Sequence, residues 1–274
     1  SISIETANNR ELVEENFNDA SYQGYRFGLK YEMFEEWSLL LQHTAQDLNV
    51  DGVFDYDPAV GDLQVQRFFK DELTDKIGLT TWTVEGRLSA LDLVYTGGFV
   101  DREVSQGIDY TGYNNVGSYI GTYTCNYDAS YVATKCHSPI KAFTNEIDST
   151  RQTHEFRINT DSDNRLRLTA GVFFDDQETN SDGTFLYLGT ADALNTGNPQ
   201  FGHNIRNPLV QSGGDINAIT LIDPTARLPG EGFINDIRRS EEQIALFAEV
   251  SFNITDKLTS SIGLRAYEIE VDLD

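Results

Sequence analysis

Tyr110, Tyr113, Tyr119, Tyr123, Tyr127 and Tyr131 crowd into D-Y-T-G-Y-N-N-V-G-S-Y-I-G-T-Y-T-C-N-Y-D-A-S-Y, spaced by Gly, Asn, Ser and Thr. Tyrosine offers a broad stacking surface and a hydroxyl at low entropic cost, and small polar neighbours adapt around it, so the composition suits recognition rather than catalysis. Two readings fit the segment: an external ligand surface, or tyrosines that pack the loop against its neighbours.

Catalysis has no comparable anchor. The sequence holds no phosphate-cradling loop, no HExxH and no G-x-S-x-G. Its histidines, His43, His137, His154 and His203, are scattered, and none stands beside a Ser or Cys nucleophile with an acid in reach. Asp175 with Asp176, and Asp55 with Asp57, read as solvated loop charge rather than as general acid and base. D-Y-D-P-A-V-G-D offers carboxylates to calcium but lacks the EF-hand spacing. Cys125 and Cys136 flank a short polar loop and suit a local disulfide in an oxidising compartment, whereas with His137 they supply too few ligands for zinc. Neither a cofactor nor an enzymatic activity is expected.

Any partner must tolerate strong negative charge. Acidic residues outnumber basic ones 44 to 20, a formal charge of -24, which opposes affinity for nucleic acid. No window approaches the roughly 18 apolar residues of a helical span. Mean hydropathy is -0.40, which says nothing against a barrel, whose strands alternate and cancel the signal.

The elements that would carry these residues are amphipathic hairpins, near 22–50, 77–104, 150–178 and 241–273. In the first, Tyr25, Phe27, Leu29 and Tyr31 oppose Arg26, Gly28, Lys30 and Glu32, with a turn at Phe34 to Glu36. In the second, Trp82, Val84 and Leu88 oppose Thr83, Glu85 and Arg87, and Ser89 to Leu91 make the turn. In the third, Phe156, Ile158, Leu166, Leu168, Ala170, Val172 and Phe174 oppose Glu155, Arg157, Arg165, Arg167 and Thr169 around Asp161 to Asn164. In the fourth, Ile244, Leu246, Ala248, Val250 and Phe252, then Leu258, Ile262 and Leu264, oppose Gln243, Glu249, Ser251, Thr259, Ser261 and Arg265. Its turn, N-I-T-D-K, contains an N-x-T sequon at Asn253, which reads more simply as turn chemistry than as a glycosylation site.

The connections sort by length. Short turns close every hairpin, while Asp51 to Lys76, Ser105 to Thr150 and Thr179 to Ser240 join them. A soluble sandwich has no reason for this asymmetry; outer-membrane barrels have short periplasmic turns and long extracellular loops. Tyr22, Tyr31, Phe34, Trp37, Phe174, Phe252 and Tyr267 near strand ends fit an interfacial girdle in aggregate. The expected arrangement is all-β, an antiparallel transmembrane β-barrel segment of about eight strands with its apolar face toward lipid. Arg26, Glu32, Glu85, Arg87, Glu155, Arg157, Arg165, Arg167, Glu249 and Arg265 then face a wet lumen.

E-E-Q-I-A-L-F-A-E-V-S-F-N-I-T-D-K-L-T-S-S-I-G-L-R-A-Y-E-I-E, T-H-E-F-R-I-N-T-D-S-D-N-R-L-R-L-T-A-G-V-F-F-D-D and Y-R-F-G-L-K-Y-E-M-F-E-E-W-S-L-L-L-Q-H-T together resemble the barrel region of TonB-dependent outer-membrane receptors, the iron-complex uptake class. The likeness covers most of the strands and little of the loops. It implies outer-membrane location, uptake of a small-molecule substrate such as a ferric siderophore, and energy delivered by TonB. Eight strands fall short of the 22 of such a barrel, and the family's plug domain and energy-coupling box match nothing here. Residues 1–274 therefore read as an internal piece of that barrel, an expectation also suited to the opening S-I-S-I-E-T-A-N-N-R, which has no initiator Met or signal-like h-region. Unpaired edges follow, so the expected shape is an open curved sheet rather than a closed ring. Alternatives are a passive porin or small outer-membrane binding barrel, and a soluble β-sandwich of the carbohydrate-binding or adhesin type.

Overall fold

Alternating sequence becomes one antiparallel sheet. The computed structural model describes residues 2–115, 124–127, 132–189 and 230–274. Among them the strands are β1 (Ser3–Ile4), β2 (Ala20–Phe34), β3 (Trp37–Asp51), β4 (Glu72–Leu88), β5 (Leu91–Asp109), β6 (Cys125–Tyr127), β7 (Ala133–Cys136), β8 (Lys141–Thr160), β9 (Leu166–Tyr187), β10 (Glu231–Thr255) and β11 (Leu258–Leu273). Eight of them form a sheet ordered β11-β10-β9-β8-β5-β4-β3-β2, and β1, β7 and β6 form a second, small sheet. The large sheet is open, as its edge strands β2 and β11 do not pair.

The strands run past the amphipathic stretches at the end of the long connections, β8 from Lys141 and β10 from Glu231. Ladder hydrogen bonds need no apolar alternation, so pairing continues where the sequence pattern has stopped. At the other end the turns are tight, with Glu35 and Glu36 between β2 and β3, and Ser89 and Ala90 between β4 and β5. Ser89 takes a left-handed φ of 60°, a conformation two-residue hairpin turns require. In the last hairpin the ladder runs on to Thr255, with a register shift between Asn253 and Thr255. Asn253 Oδ1 there accepts hydrogen bonds from Arg167 Nη1 at 3.1 Å and Thr259 Oγ1 at 2.8 Å, a turn role.

Register fixes the faces. Tyr31, Leu39, Val84, Tyr95, Phe156, Val172, Leu246 and Ala266 are successive cross-strand partners, an apolar row that crosses the whole sheet. One residue along, Glu32, Ser38, Glu85, Val94, Arg157, Gly171, Phe247 and Arg265 form a row on the opposite face. In the middle of β9 and β10 exposure runs in the reverse of the soluble order. Phe174, Val172, Ile244 and Leu246 are exposed, while Arg167, Thr169, Phe173, Asp175, Gln243, Ala245, Phe247 and Ser251 on the opposite face are half-buried or buried.

A single layer has no interior. Among the described residues only Cys125, Ala142, Tyr187 and Ala245 are buried apolar residues, and they do not form one core. What packing the apolar face has is partly aromatic against glycine. Trp37 lies over Gly86 and Trp82 over Gly97, so close that a Cβ would sit 2.1 Å and 2.5 Å from the rings.

Candidate binding surfaces

Two regions concentrate polar chemistry, the charged face of the sheet and the end with the long connections. On the charged face, nine of the ten residues singled out from alternation share a side by register: Arg26, Glu32, Glu85, Arg87, Glu155, Arg157, Arg167, Glu249 and Arg265. Glu32 pairs with Lys30 at 2.8 Å, Arg157 with Glu155 at 3.5 Å, and Arg87 with Asp92 through Nε at 2.7 Å. Arg265 lies 5.1 Å above the ring of Phe173. Leu40, Val94, Phe173, Phe247 and Tyr267 interleave with these charges, so the face is mixed rather than uniformly ionic.

Arg165 is placed differently from expectation. It precedes β9 in the turn, where its guanidinium donates to the carbonyls of Asn253 at 2.8 Å and Ile254 at 3.1 Å and covers the ring of Phe252. A guanidinium beside two turn carbonyls satisfies acceptors the ladder leaves over, so this residue clamps two turns together rather than projecting from the charged face. Tyr22 and Tyr267 also depart from the girdle assignment. Register puts them on the side of Arg26 and Arg265, because both are an even number of residues from those arginines.

The strongest pairs were not distinguished by sequence pattern. Arg151 and Asp175 form a two-point ion pair, and Arg102 holds Asp75 in the same manner at 2.9 and 2.6 Å. Asp175 is buried within β9, which corrects its reading as solvated loop charge. Alternation sends Asp175 and its neighbour Asp176 to opposite faces, and cross-strand proximity supplies the arginine. The signal available in sequence was the parity of Arg151 with Arg157, which places both on one side.

At the other region, Tyr110 and Tyr113 pack ring against ring at 4.7 Å, and Tyr110 meets Phe185 edge-on at 5.6 Å. Both belong to a platform built on the first residues of β8 and the last of β9. Tyr127 ends β6 opposite Ala133, and Tyr119, Tyr123 and Tyr131 lie outside the described residues. Lys141 is buried in the platform, its Nζ donating to Asn114 Oδ1 and lying 5.1 Å above the Tyr187 ring. Burial pushes its ammonium down to about 8, and burial, followed by nearby Tyr113 and Tyr110, pushes the Tyr187 phenol up to about 12.

Cys125 and Cys136 are joined in a disulfide across β6 and β7. The resulting hairpin captures the segment before β2, because β1 pairs with β7 in parallel, Ser3 to Lys135 and Ile4 to Cys136. Glu5 then lies 2.9 Å from Lys135 and 3.4 Å from His137 Nδ1, and the Lys135 hydrogen bond holds its carboxyl below the ordinary range.

The β3–β4 connection is tied down as well. Buried Asp71 accepts from Arg67 Nε at 2.8 Å and from the Asp109 amide at 2.8 Å, while the Asp109 carboxylate accepts from the Phe69 amide at 3.0 Å and from that of Phe68. Burial raises the Asp71 carboxyl, opposed by those two partners. Asp57 closes a turn by accepting from the Ala59 amide at 2.8 Å, and Asp55 accepts from Arg67 at 3.2 Å, so both carboxylates have local structural partners. No cluster of three or more candidate metal-binding side chains occurs among the described residues.

No family model and no curated protein matches the sequence. The fold does match solved structures. The ferric citrate transporter FecA in its unliganded form superposes over 94% of this chain and 31% of its own, at 12% identity and a TM-score of 0.57. The ferric yersiniabactin uptake receptor FyuA from Yersinia pestis covers 93% of this chain and 34% of its own, at 7% identity and a TM-score of 0.52. BauA, the ferric preacinetobactin receptor from Acinetobacter baumannii, covers 94% and 35%, at 12% identity and a TM-score of 0.50. The chain thus shares the fold of part of these proteins and spans about a third of their length.

Proposed function

We propose that this chain is part of the barrel wall of a TonB-dependent outer-membrane receptor that takes up a scarce nutrient, an iron-siderophore complex being the favoured cargo. The observation that carries the reading is the two-sided sheet, with an apolar row crossing all eight strands, of which Tyr31, Phe156, Val172 and Leu246 are exposed with nothing packed on them, and paired charges on the opposite face. Water disfavours an uncovered apolar row of this extent, whereas lipid on that side and a wet lumen on the charged side accommodate both faces. In this orientation the tight turns are periplasmic and the long connections extracellular. The remaining strands of the barrel would satisfy the edges of β2 and β11, whose backbone groups lipid cannot hydrogen-bond.

The charged face would line the lumen, and TonB would act through a plug domain contributed by the rest of the protein. The test uses the full-length gene in its own bacterium. Deletion is expected to abolish accumulation of at least one radiolabelled ferric chelate under iron limitation, and a protonophore to abolish it in the parent. Release of the protein from membranes by carbonate, or iron accumulation unchanged by deletion for every chelate supplied, would reject the reading.

A further inference from the structure

We propose that the cleft between the segment preceding β2 and the β3–β4 connection is a subsite for a positively charged amphipathic solute. Resting on the uptake reading above, it follows that the transported chelate carries a cationic group. The cleft has a volume of about 640 Å³ and lies at the end of the long connections, a size suited to a small molecule. Val13, Phe54 and Leu63 line it with 75, 71 and 84% of their surface exposed, and Tyr56 joins them. These residues belong to loops rather than to the amphipathic strands, so the lipid-facing band does not account for them. Apolar side chains gathered around one concavity mark an interaction site.

Charge selects the occupant. Glu14, Glu15 and Asp55 rim the cleft, and Arg67 is the only cation lining it among the described residues. Arg67 is already engaged by Asp71 and Asp55. No ion pair to Glu14 or Glu15 occurs among the described residues, so the rim presents uncompensated negative charge beside apolar surface. An ammonium-bearing chelate with an apolar or aromatic body complements both features, while an anionic chelate meets like charge. The Asp71–Asp109 network fixes one wall before any ligand arrives, which lowers the ordering cost of binding.

The experiment measures binding and uptake by the full-length receptor in its own outer membrane, using three ferric probes. Ferrioxamine B carries a free ammonium, ferrichrome is neutral, and ferric citrate is anionic. Ferrioxamine B is expected to half-saturate at the lowest concentration. Combining Glu14→Gln with Glu15→Gln should raise that concentration about fivefold and leave ferrichrome unchanged. Phe54→Ala should weaken both, and Glu103→Gln, on the sheet away from the cleft, should change neither. Preferential uptake of ferric citrate, or a ferrioxamine B value unmoved by the double substitution while the receptor remains assembled, overturns this inference and leaves the uptake reading standing. Deletion that alters accumulation of no ferric chelate overturns both.

Discussion

Arg151 on β8 grips Asp175 on β9 at two points, 2.8 Å from Nε and 3.1 Å from Nη2, and Asp175 is only 3% exposed. The two are diagonal neighbours in the ladder, since Arg151 stands opposite Gln177 and Asp175 opposite Thr153. Removing one member strands the other charge in a poorly solvated place. Arg151→Met should therefore destabilise the assembled barrel by about 1–2 kcal/mol, since the arginine itself is half-exposed and screened, whereas Arg151→Met with Asp175→Leu should recover much of the loss. The temperature at which the folded band converts to the unfolded one on a detergent gel measures both. Equal losses in the single and double variants would show that the pair acts by shape alone.

Gly97 is required by the indole of Trp82. A Cβ at position 97 would meet the ring at 2.5 Å, so even alanine forces the ring or the strand to move. Gly97→Ala is expected to cost about 1–3 kcal/mol, and Trp82→Leu in the same background to relieve it. Folded yield and the conversion temperature would report this, and additive effects of the two substitutions would reject the steric account.

The disulfide fastens the loop hairpin that holds the segment before β2. Replacing Cys125 and Cys136 by serine should remove about 2–3 kcal/mol from that hairpin, leaving the eight-stranded sheet intact. Proteinase K applied to whole cells is expected to cleave the variant within the β5–β8 connection or ahead of β2 faster than the parent. Unchanged cleavage would mean that β1 and β7 hold together without the bridge.

Lys141 gives the platform a pH dependence with a definite sign. Its folded value of about 8 lies below the ordinary 10.5, so between these limits the unfolded segment binds more protons and stability rises with pH. Below about pH 8 both states hold the proton, and the cost of burying the charge is fully present. Tyr187, pushed up to about 12, stays neutral throughout this window. Resistance of the platform to proteinase K, taken relative to Lys141→Met at the same pH, should increase from pH 7 to pH 10. A flat ratio would mean that the ammonium is solvated.

The faces of the hairpins were legible in the sequence because a period of two is imposed by the pleat itself, wherever the strand lies. Arg157 and Arg265 could thus be put on one side, Phe156 and Leu264 on the other, and the turns located from Asp161 to Asn164 or N-I-T-D-K. Strand ends were less legible. β8 begins at Lys141 rather than near Thr150 because ladder pairing outlasts the amphipathic pattern. Tyr22 and Tyr267 were misassigned because proximity to a strand end does not fix a face, whereas parity does.

What the sequence determined alone was therefore local: alternation, turn chemistry, a cysteine pair close enough to bridge, and an acidic balance. Tertiary structure decided which strands became neighbours, and with that everything requiring two distant segments. Arg151 needed β9 beside β8 to find Asp175, and Lys141 needed the end of β9 to bring Tyr187 over its ammonium. The cleft rimmed by Glu14, Glu15 and Asp55 exists only because β2 and β3 pair, bringing the segments on either side of their hairpin to the same end of the sheet. The physical reason is one of range: steric and hydrogen-bonding preferences act over a few residues, whereas burial and ion pairing depend on contacts that only the assembled sheet creates.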